Sequence, residues 1–350
     1  MKGLSILFIA LHNILHYNTL PFVKENESTF FMERPLAFYE NLSSFSLSLP
    51  YDFLSFAGFY GVPVFVFLSG YGLVCKWEKG KNNPLRISMY IYDNFKKLFI
   101  LLIPAYLVYI LLITKDSFQW GDFFLQITFF NNVVNNWCQI IPGVYWYFGL
   151  TLQLYILYIF YYRIRTNNFI LVTTFLSVCM LIAVNPQFWD VQKMLIYVRH
   201  NSIGWLYCFT LGIFWALKET TQNSNCFFKN TGLLSCFLLC LLLLSCFNYY
   251  TWIVSPLIAI LLCVSVSLGI SKWSVLRRGF IWMGKHSSSI FVVHPIVRPF
   301  ALKIVDDGYP VYLCVVVYLL IVLLISPFYT KLFNTLLNYS KIKFSANTKS

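Results

Sequence analysis

Charge is what this sequence lacks most. Asp, Glu, Lys and Arg make up only 11% of its 350 residues, whereas hydrophobic residues make up 59% and the mean hydropathy is +0.67. Soluble domains carry about 25% charged residues and about 45–50% apolar residues. The scarcity of charge therefore excludes an ordinary soluble enzyme and predicts an all-α fold, a polytopic bundle of transmembrane helices.

Several other features are absent. The chain has no Gly-rich phosphate loop, no repeat and no low-complexity tract, and its ten cysteines form no C-x-x-C pair. Most of the cysteines lie in apolar stretches, so we interpret them as small hydrophobic residues and not as a disulfide framework. Loops are predicted to be short apart from 21–52 and 115–143. The chemistry must then come from helix faces and loop ends, and we predict no metal site and no permanently bound cofactor.

Membrane-spanning helices need about 17 to 25 consecutive apolar residues. Ten stretches of the sequence qualify: 4–20, 53–75, 96–114, 144–162, 169–185, 202–217, 231–248, 252–270, 287–304 and 310–333. The segment 123–134 is too short to span and is predicted to be interfacial or re-entrant. The first span follows a lysine and precedes no small-residue cleavage site, so it is expected to be a retained signal anchor.

Lys and Arg accumulate in short cytoplasmic loops of membrane proteins. With the N-terminus inside, most of the 26 basic residues fall in cytoplasmic loops and most of the 13 acidic residues fall outside. We therefore predict ten spans with both termini cytoplasmic, a single transmembrane domain over 1–340 and a short basic tail over 341–350. The net charge of +13 then reflects this topology, and no nucleic-acid partner is predicted.

Two histidines, His12 and His16, lie four residues apart on one face of the first span. An ionisable side chain is costly in hydrocarbon, so such a pair indicates a functional site. Imidazole titrates near neutral pH and is the commonest general base for a hydroxyl group. The alternative is a structural pair that hydrogen-bonds to neighbouring helices.

The other candidate residues have two interpretations each. His294 precedes a helix-kinking proline and has Arg298 one turn further on, so a site residue and a satisfied kink are both open. His200 and His286 lie in or beside loops and are predicted to be solvated. Aromatic residues at the predicted outer end of the fourth span, Trp146 and Tyr147, suit either an interfacial belt or stacking on a sugar ring.

Basic residues near the predicted cytoplasmic ends of spans would meet an anionic ligand that arrives from inside. They are Lys2, Arg86, Lys96 and Lys97. Phosphate groups of a coenzyme would pair with such cations. Ordinary positive-inside residues are the alternative for each.

Four segments together resemble the acyltransferase-3 family of integral-membrane O-acyltransferases. They are KGLSIL…H at 2–12, FVFLSGYGL at 65–73, YWYF…QLY at 145–155 and MGKHSSSIFVVHP at 283–295. Their order and spacing match along essentially the whole chain.

The resemblance implies that an acyl group, usually acetyl, passes from cytoplasmic acyl-CoA to a hydroxyl of a glycan or lipid-linked sugar outside a bacterial inner membrane. His12 would be the general base, and His16 would orient it, contact the acceptor or carry the acyl group transiently. Lys2, Arg86, Lys96 and Lys97 would bind the donor. His294, Arg298, Trp146 and Tyr147 would contact the acceptor.

A secondary transporter is the alternative from another functional class. Such proteins usually show two related halves, but no repeat relates 1–165 to 166–350.

Overall fold

The computed structural model describes residues 1–17, 20–79, 85–114, 118–134, 140–164, 166–186, 192–218 and 230–347, with side chains in the last helix as far as residue 340. It is 82% helix, and its described residues contain no strand. The all-α prediction is therefore confirmed.

The described residues form fifteen α-helices. They are α1 Lys2–Leu15, α2 Glu33–Ser43, α3 Leu49–Ala57, α4 Gly61–Trp77, α5 Ile87–Tyr109, α6 Trp120–Thr128, α7 Trp146–Ile164, α8 Asn167–Ala183, α9 Gln192–His200, α10 Leu206–Lys218, α11 Thr231–Ser245, α12 Tyr249–Ser271, α13 Ser274–Lys285, α14 Ser287–Asp306 and α15 Val311–Asn347. A 3₁₀ turn, Gly58–Tyr60, links α3 to α4, and a π-helical turn, Ile110–Thr114, extends α5.

Five helical segments are long and apolar enough to cross a membrane: Leu49–Trp77, Ile87–Thr114, Tyr249–Ser271, Ser287–Asp306 and Val311–Ser340. Four more of the predicted spans coincide with the shorter apolar helices α1, α8, α10 and α11. The remaining predicted span, 144–162, coincides with α7. Every predicted span thus overlaps a helix. The count of ten and the cytoplasmic placement of both termini stay predictions.

The two segments predicted as long loops contain helices. The first, 21–52, holds α2 and the beginning of α3, and the second, 115–143, holds α6. With nine residues, α6 is too short to span a membrane, as predicted for this part of the chain. The last helix runs to Asn347, so most of the predicted basic tail is helical, while residues 348–350 lie outside the described residues.

The chain forms two compact units. The first comprises Met1–Ile87 and Gln153–Gly284, and the second comprises Ser88–Leu152 and Lys285–Ser350. Helices α1 to α4 and α8 to α13 belong to the first unit, and α5, α6, α14 and α15 to the second, while α7 contributes to both.

In the first unit, α4 and α10 approach each other backbone to backbone. A Cβ atom added at Gly70 would collide with the carbonyl oxygen of Phe209, and one added at Gly212 would collide with that of Phe67. Small residues permit this close packing of membrane helices. The glycine-containing end of the second predicted span therefore serves helix packing at Gly70.

Helix α1 packs in the same way on the 3₁₀ turn and the first residue of α4. A Cβ at Gly58 would lie 2.5 Å from the Cβ of His12 and 2.8 Å from the carbonyl oxygen of Phe8. A Cβ at Gly61 would lie 2.6 Å from the carbonyl oxygen of Ser5. Because Gly58 and Gly61 have no side chain, α1 packs closer to this turn than any other residue at these two positions would permit.

The second unit contains a hydroxyl group inserted into a helix backbone. The Tyr329 hydroxyl of α15 donates to the carbonyl oxygen of Leu101 at 2.6 Å and accepts from the amide of Ala105 at 3.2 Å. These two groups flank Pro104 inside α5. The two groups are four residues apart, so the hydroxyl bridges a pair that bonds directly in a regular α-helix.

We expect Gly58→Ala to lower both the thermal stability and the activity of the protein, because the new methyl group would push α1 and His12 away from the 3₁₀ turn. Gly72→Ala in α4 is the matched control, since a Cβ at Gly72 has no atom within 4 Å. Thermal unfolding in detergent compares the two variants. Equal unfolding temperatures would contradict the close approach at Gly58.

Candidate active site

The histidine pair of α1 forms one stacked unit, as its spacing predicts. The ring centroids of His12 and His16 lie 5.0 Å apart with an interplanar angle of 22°. His12 is buried, with 4% of its surface exposed, whereas His16 is partly exposed. The two rings therefore have different access to solvent and ligands.

A backbone hydrogen bond fixes the protonation of the buried imidazole. His12 Nδ1 lies 2.7 Å from the carbonyl oxygen of Ser55 in α3. A carbonyl oxygen only accepts, so Nδ1 carries the proton and the neutral ring keeps its lone pair on Nε2. Nε2 is therefore the atom of His12 that can accept a proton.

The sequence analysis missed a third member of this site, Glu25. Its carboxylate is buried in the segment between α1 and α2, with Oε2 2.5 Å from His16 Nδ1 and 3.9 Å from His12 Nε2. His16 and Glu25 form a close ion pair, and the same oxygen faces the basic nitrogen of His12. An acidic residue shortly after a span that carries two histidines was the only signal in the sequence.

The pKa values of two carboxyl groups in this segment, Glu25 and Glu27, are shifted in opposite directions. Burial favours the neutral form of Glu25, but the charges of His12 and His16 and the hydrogen bond from His16 outweigh it and lower the pKa from 4.5 to about 2. Desolvation and repulsion by Glu25 raise the pKa of Glu27 from 4.5 to about 7, against the opposing charges of His16 and Arg199. Glu25 is therefore ionised at neutral pH, whereas Glu27 titrates there.

A buried arginine, Arg199, contacts the backbone of the segment between α1 and α2. The Arg199 guanidinium lies between two indole rings, 4.3 Å from the centroid of Trp205 and 4.7 Å from that of Trp252. It donates to the carbonyl oxygen of Glu27 at 3.1 Å and to the Tyr207 hydroxyl at 3.3 Å. This cation fixes the backbone that carries Glu25 and Glu27.

The predicted solvation is wrong for His200, whereas His286 keeps part of its surface exposed. His200 is buried, and its Nδ1 lies 2.8 Å from the carbonyl oxygen of Ile196 in the preceding turn of α9. His286 is partly buried, with Nδ1 2.8 Å from the Thr330 hydroxyl. The sequence did not reveal these contacts, because the one of His200 depends on a helix turn that includes it and the one of His286 on a helix distant in sequence.

His12, His16 and Glu25 also have the composition of a metal site, and one ligand atom from each lies within 4.8 Å of the others. Ligand atoms around a tetrahedral zinc ion with bonds of 2.0–2.1 Å are roughly 3.3 Å apart. The direct His16–Glu25 contact at 2.5 Å is shorter, so both groups could not ligate one ion without separating. The observed spacing is that of an ion pair.

The residues predicted to bind the donor are distributed over both units. In the first unit, Lys2 and Arg86 are exposed. In the second, Lys97 is exposed, and Lys96 donates to the carbonyl oxygen of Ser340 at 3.1 Å. Their role in donor binding stays a prediction.

The residues predicted to contact the acceptor all belong to the second unit. His294 is fully buried, with Nδ1 3.2 Å from the carbonyl oxygen of Ile290, and Arg298 is partly buried. Trp146 is also buried, and Tyr147 packs on Phe291 with ring centroids 5.4 Å apart. The role of these four residues in acceptor binding stays a prediction.

The fold and this site define a helical integral membrane protein with a buried imidazole–carboxylate cluster. The family model described as an acyltransferase domain, acyltransferase-3, matches residues 1–331. The chain belongs to this family, and acyl transfer is its general activity. No curated protein and no solved structure matches the chain significantly.

We expect the titration of Glu27 to lower the free energy of unfolding as the pH rises. Its folded pKa of about 7 lies above the ordinary value of 4.5, so the folded state binds the extra proton in this range. The stabilisation is complete below about pH 4.5 and is lost as the pH rises through about 7. Glu27→Gln should flatten the decline of the unfolding temperature between about pH 5 and pH 7.

Glu40→Gln is the matched control for this measurement, because Glu40 is exposed in α2. Its pH profile should follow that of the wild type. An unchanged slope in Glu27→Gln would show that burial does not neutralise Glu27.

Proposed function

We propose that the protein transfers an acyl group, acetyl in the simplest case, from cytoplasmic acyl-CoA to a sugar hydroxyl of an extracytoplasmic glycan or lipid-linked saccharide. His12 is the general base. The observation that carries this assignment is the hydrogen bond from His12 Nδ1 to Ser55, which leaves the lone pair on Nε2. The proposed location is a bacterial inner membrane.

The chemical step follows from the position of that lone pair. Nε2 takes the proton of the hydroxyl while the hydroxyl oxygen attacks the thioester carbon. The carbon–sulfur bond then breaks, and the imidazolium returns its proton to the departing thiolate, which gives an ester and free CoA. General-base catalysis of this kind contributes about 10²–10⁴-fold to a rate.

Glu25 serves this step through its charge. When His12 becomes an imidazolium, a negative oxygen 3.9 Å from Nε2 stabilises the new charge. In a buried site that interaction is stronger than in water. Glu25 is thus a positioning and electrostatic residue, and His12 is the catalytic one.

The contact of His16 with Glu25 supports one of its three possible roles. At 2.5 Å from Oε2, His16 holds the carboxylate beside the ring of His12. We assign it the orienting role. Donor contacts at Lys2, Arg86, Lys96 and Lys97 and acceptor contacts at His294, Arg298, Trp146 and Tyr147 complete the proposal.

We expect His12→Gln to lower kcat about 10²–10⁴-fold, because glutamine fills the space but cannot take a proton at neutral pH. Purified protein in liposomes, labelled acyl-CoA inside and glycan acceptor outside would measure the transferred label. Asn13→Ala is the matched control on α1, since its amide donates to the carbonyl oxygen of Ile9 in its own helix. Normal transfer by His12→Gln would exclude His12 as the base.

Glu25→Gln and His16→Gln separate the two supporting roles. Removing the charge of Glu25 should lower kcat with little change in KM, because the interaction develops only in the transition state. His16→Gln should have an effect of the same kind that is no larger than that of Glu25→Gln, because it removes one of the partners that keep Glu25 ionised and leaves the carboxylate in place. A larger loss in His16→Gln than in His12→Gln would instead favour His16 as the residue that performs the chemistry.

A further inference from the structure

An apolar cavity of about 290 Å³ lies within the first unit. Helices α1, α3, α4, α11 and α12 form its wall. Its apolar lining residues include Leu4, Phe8, Ala57, Leu239, Ala259 and Leu262. Ser5, Tyr60 and Ser235 also line the cavity, but their hydroxyl groups form hydrogen bonds within the protein. The cavity therefore suits a ligand without hydrogen-bonding groups.

The surroundings of the cavity indicate hydrocarbon. Two of its walls, the Leu49–Trp77 segment and α12, are candidate membrane spans, and α1 and α11 are apolar helices. An engineered apolar cavity of about 150 Å³ stays dry and binds benzene. This cavity has about twice that volume, which is enough for an alkyl chain.

The cavity begins next to the proposed base. On α1, the lining residues Phe8 and Leu4 lie one and two turns before His12. At 1.5 Å per residue, they are about 6 Å and about 12 Å from His12 along the helix axis. On the other wall, Ala57 precedes Gly58, where an added Cβ atom would lie 2.5 Å from the Cβ of His12. The cavity lies on the N-terminal side of His12, which the topology predicts to be the donor side.

We propose that this cavity receives the alkyl chain of the donor's acyl group. The inference rests on the proposed function, because the acyl carbonyl must lie at His12 during transfer and its chain must extend from there. A sugar hydroxyl arrives with polar neighbours and does not suit this wall. The protein should therefore accept straight acyl chains longer than acetyl.

Photo-crosslinking tests occupancy without turnover. An octanoyl-CoA analogue with a diazirine at the end of its chain is bound to the full-length protein in liposomes without acceptor, irradiated, and mapped by mass spectrometry. We expect label on the cavity wall, in peptides that contain Leu239, Ala259 or Leu262. Excess octanoyl-CoA should compete, whereas octanoic acid and added phospholipid should not.

Two results would overturn the proposal. One is label confined to Leu233 and Leu244, which are exposed on the outer face of α11, because that pattern reports membrane lipid contact. The other is equal competition by octanoic acid or phospholipid, which would identify the cavity as a general lipid site.

A variant that fills the cavity tests its effect on substrate choice. Ala259→Leu should lower kcat/KM for octanoyl-CoA at least tenfold and leave acetyl transfer within about twofold. Leu261→Phe is the matched control, since Leu261 lies on the same helix but faces outward. Equal losses for both donors in a folded Ala259→Leu protein would contradict an acyl-chain pocket.

The proposed function and the pocket can fail separately. If acetyl is transferred but the crosslinks miss the cavity, the pocket proposal fails and the transfer proposal stands. If the alkyl chain crosslinks in the cavity but no acyl group is transferred, the pocket proposal stands and the transfer proposal fails.

Discussion

The close approach of α1 to the Gly58–Gly61 turn is the constraint on which the candidate site depends. Only because Gly58 has no side chain can the backbone of α1 come near enough for His12 to reach the carbonyl oxygen of Ser55. That single hydrogen bond decides which ring nitrogen is basic. Packing of two helices thus sets the chemistry of one side chain.

The segment after α1 supplies the charges that the apolar helices lack. It brings Glu25 beside both histidines, and Arg199, held between two indole rings, anchors the backbone of Glu27. A buried carboxylate is stable only when paired, and His16 provides that partner. The same carboxylate oxygen also faces Nε2 of His12 and favours its protonation.

Hydrophobic runs and helical spacing predicted much of the fold and part of the site. The helix positions follow from apolar length, and the shared face of His12 and His16 follows from their four-residue spacing. Glu25 could not be predicted, because its role depends on how a connecting segment folds back onto α1. The burial of Trp146 and His200 could not be predicted either, because it depends on the packing of the folded chain.

The Tyr329 hydroxyl has a mechanical consequence for the second unit. It satisfies a carbonyl oxygen and an amide of α5 at once, so its position along that helix is fixed at both ends. The two groups are four residues apart in α5 and would bond directly to each other in a regular helix, so the hydroxyl bridges one turn of that helix. One side chain of α15 thus takes part in the backbone hydrogen bonding of α5, which ties the two helices together at the level of Pro104.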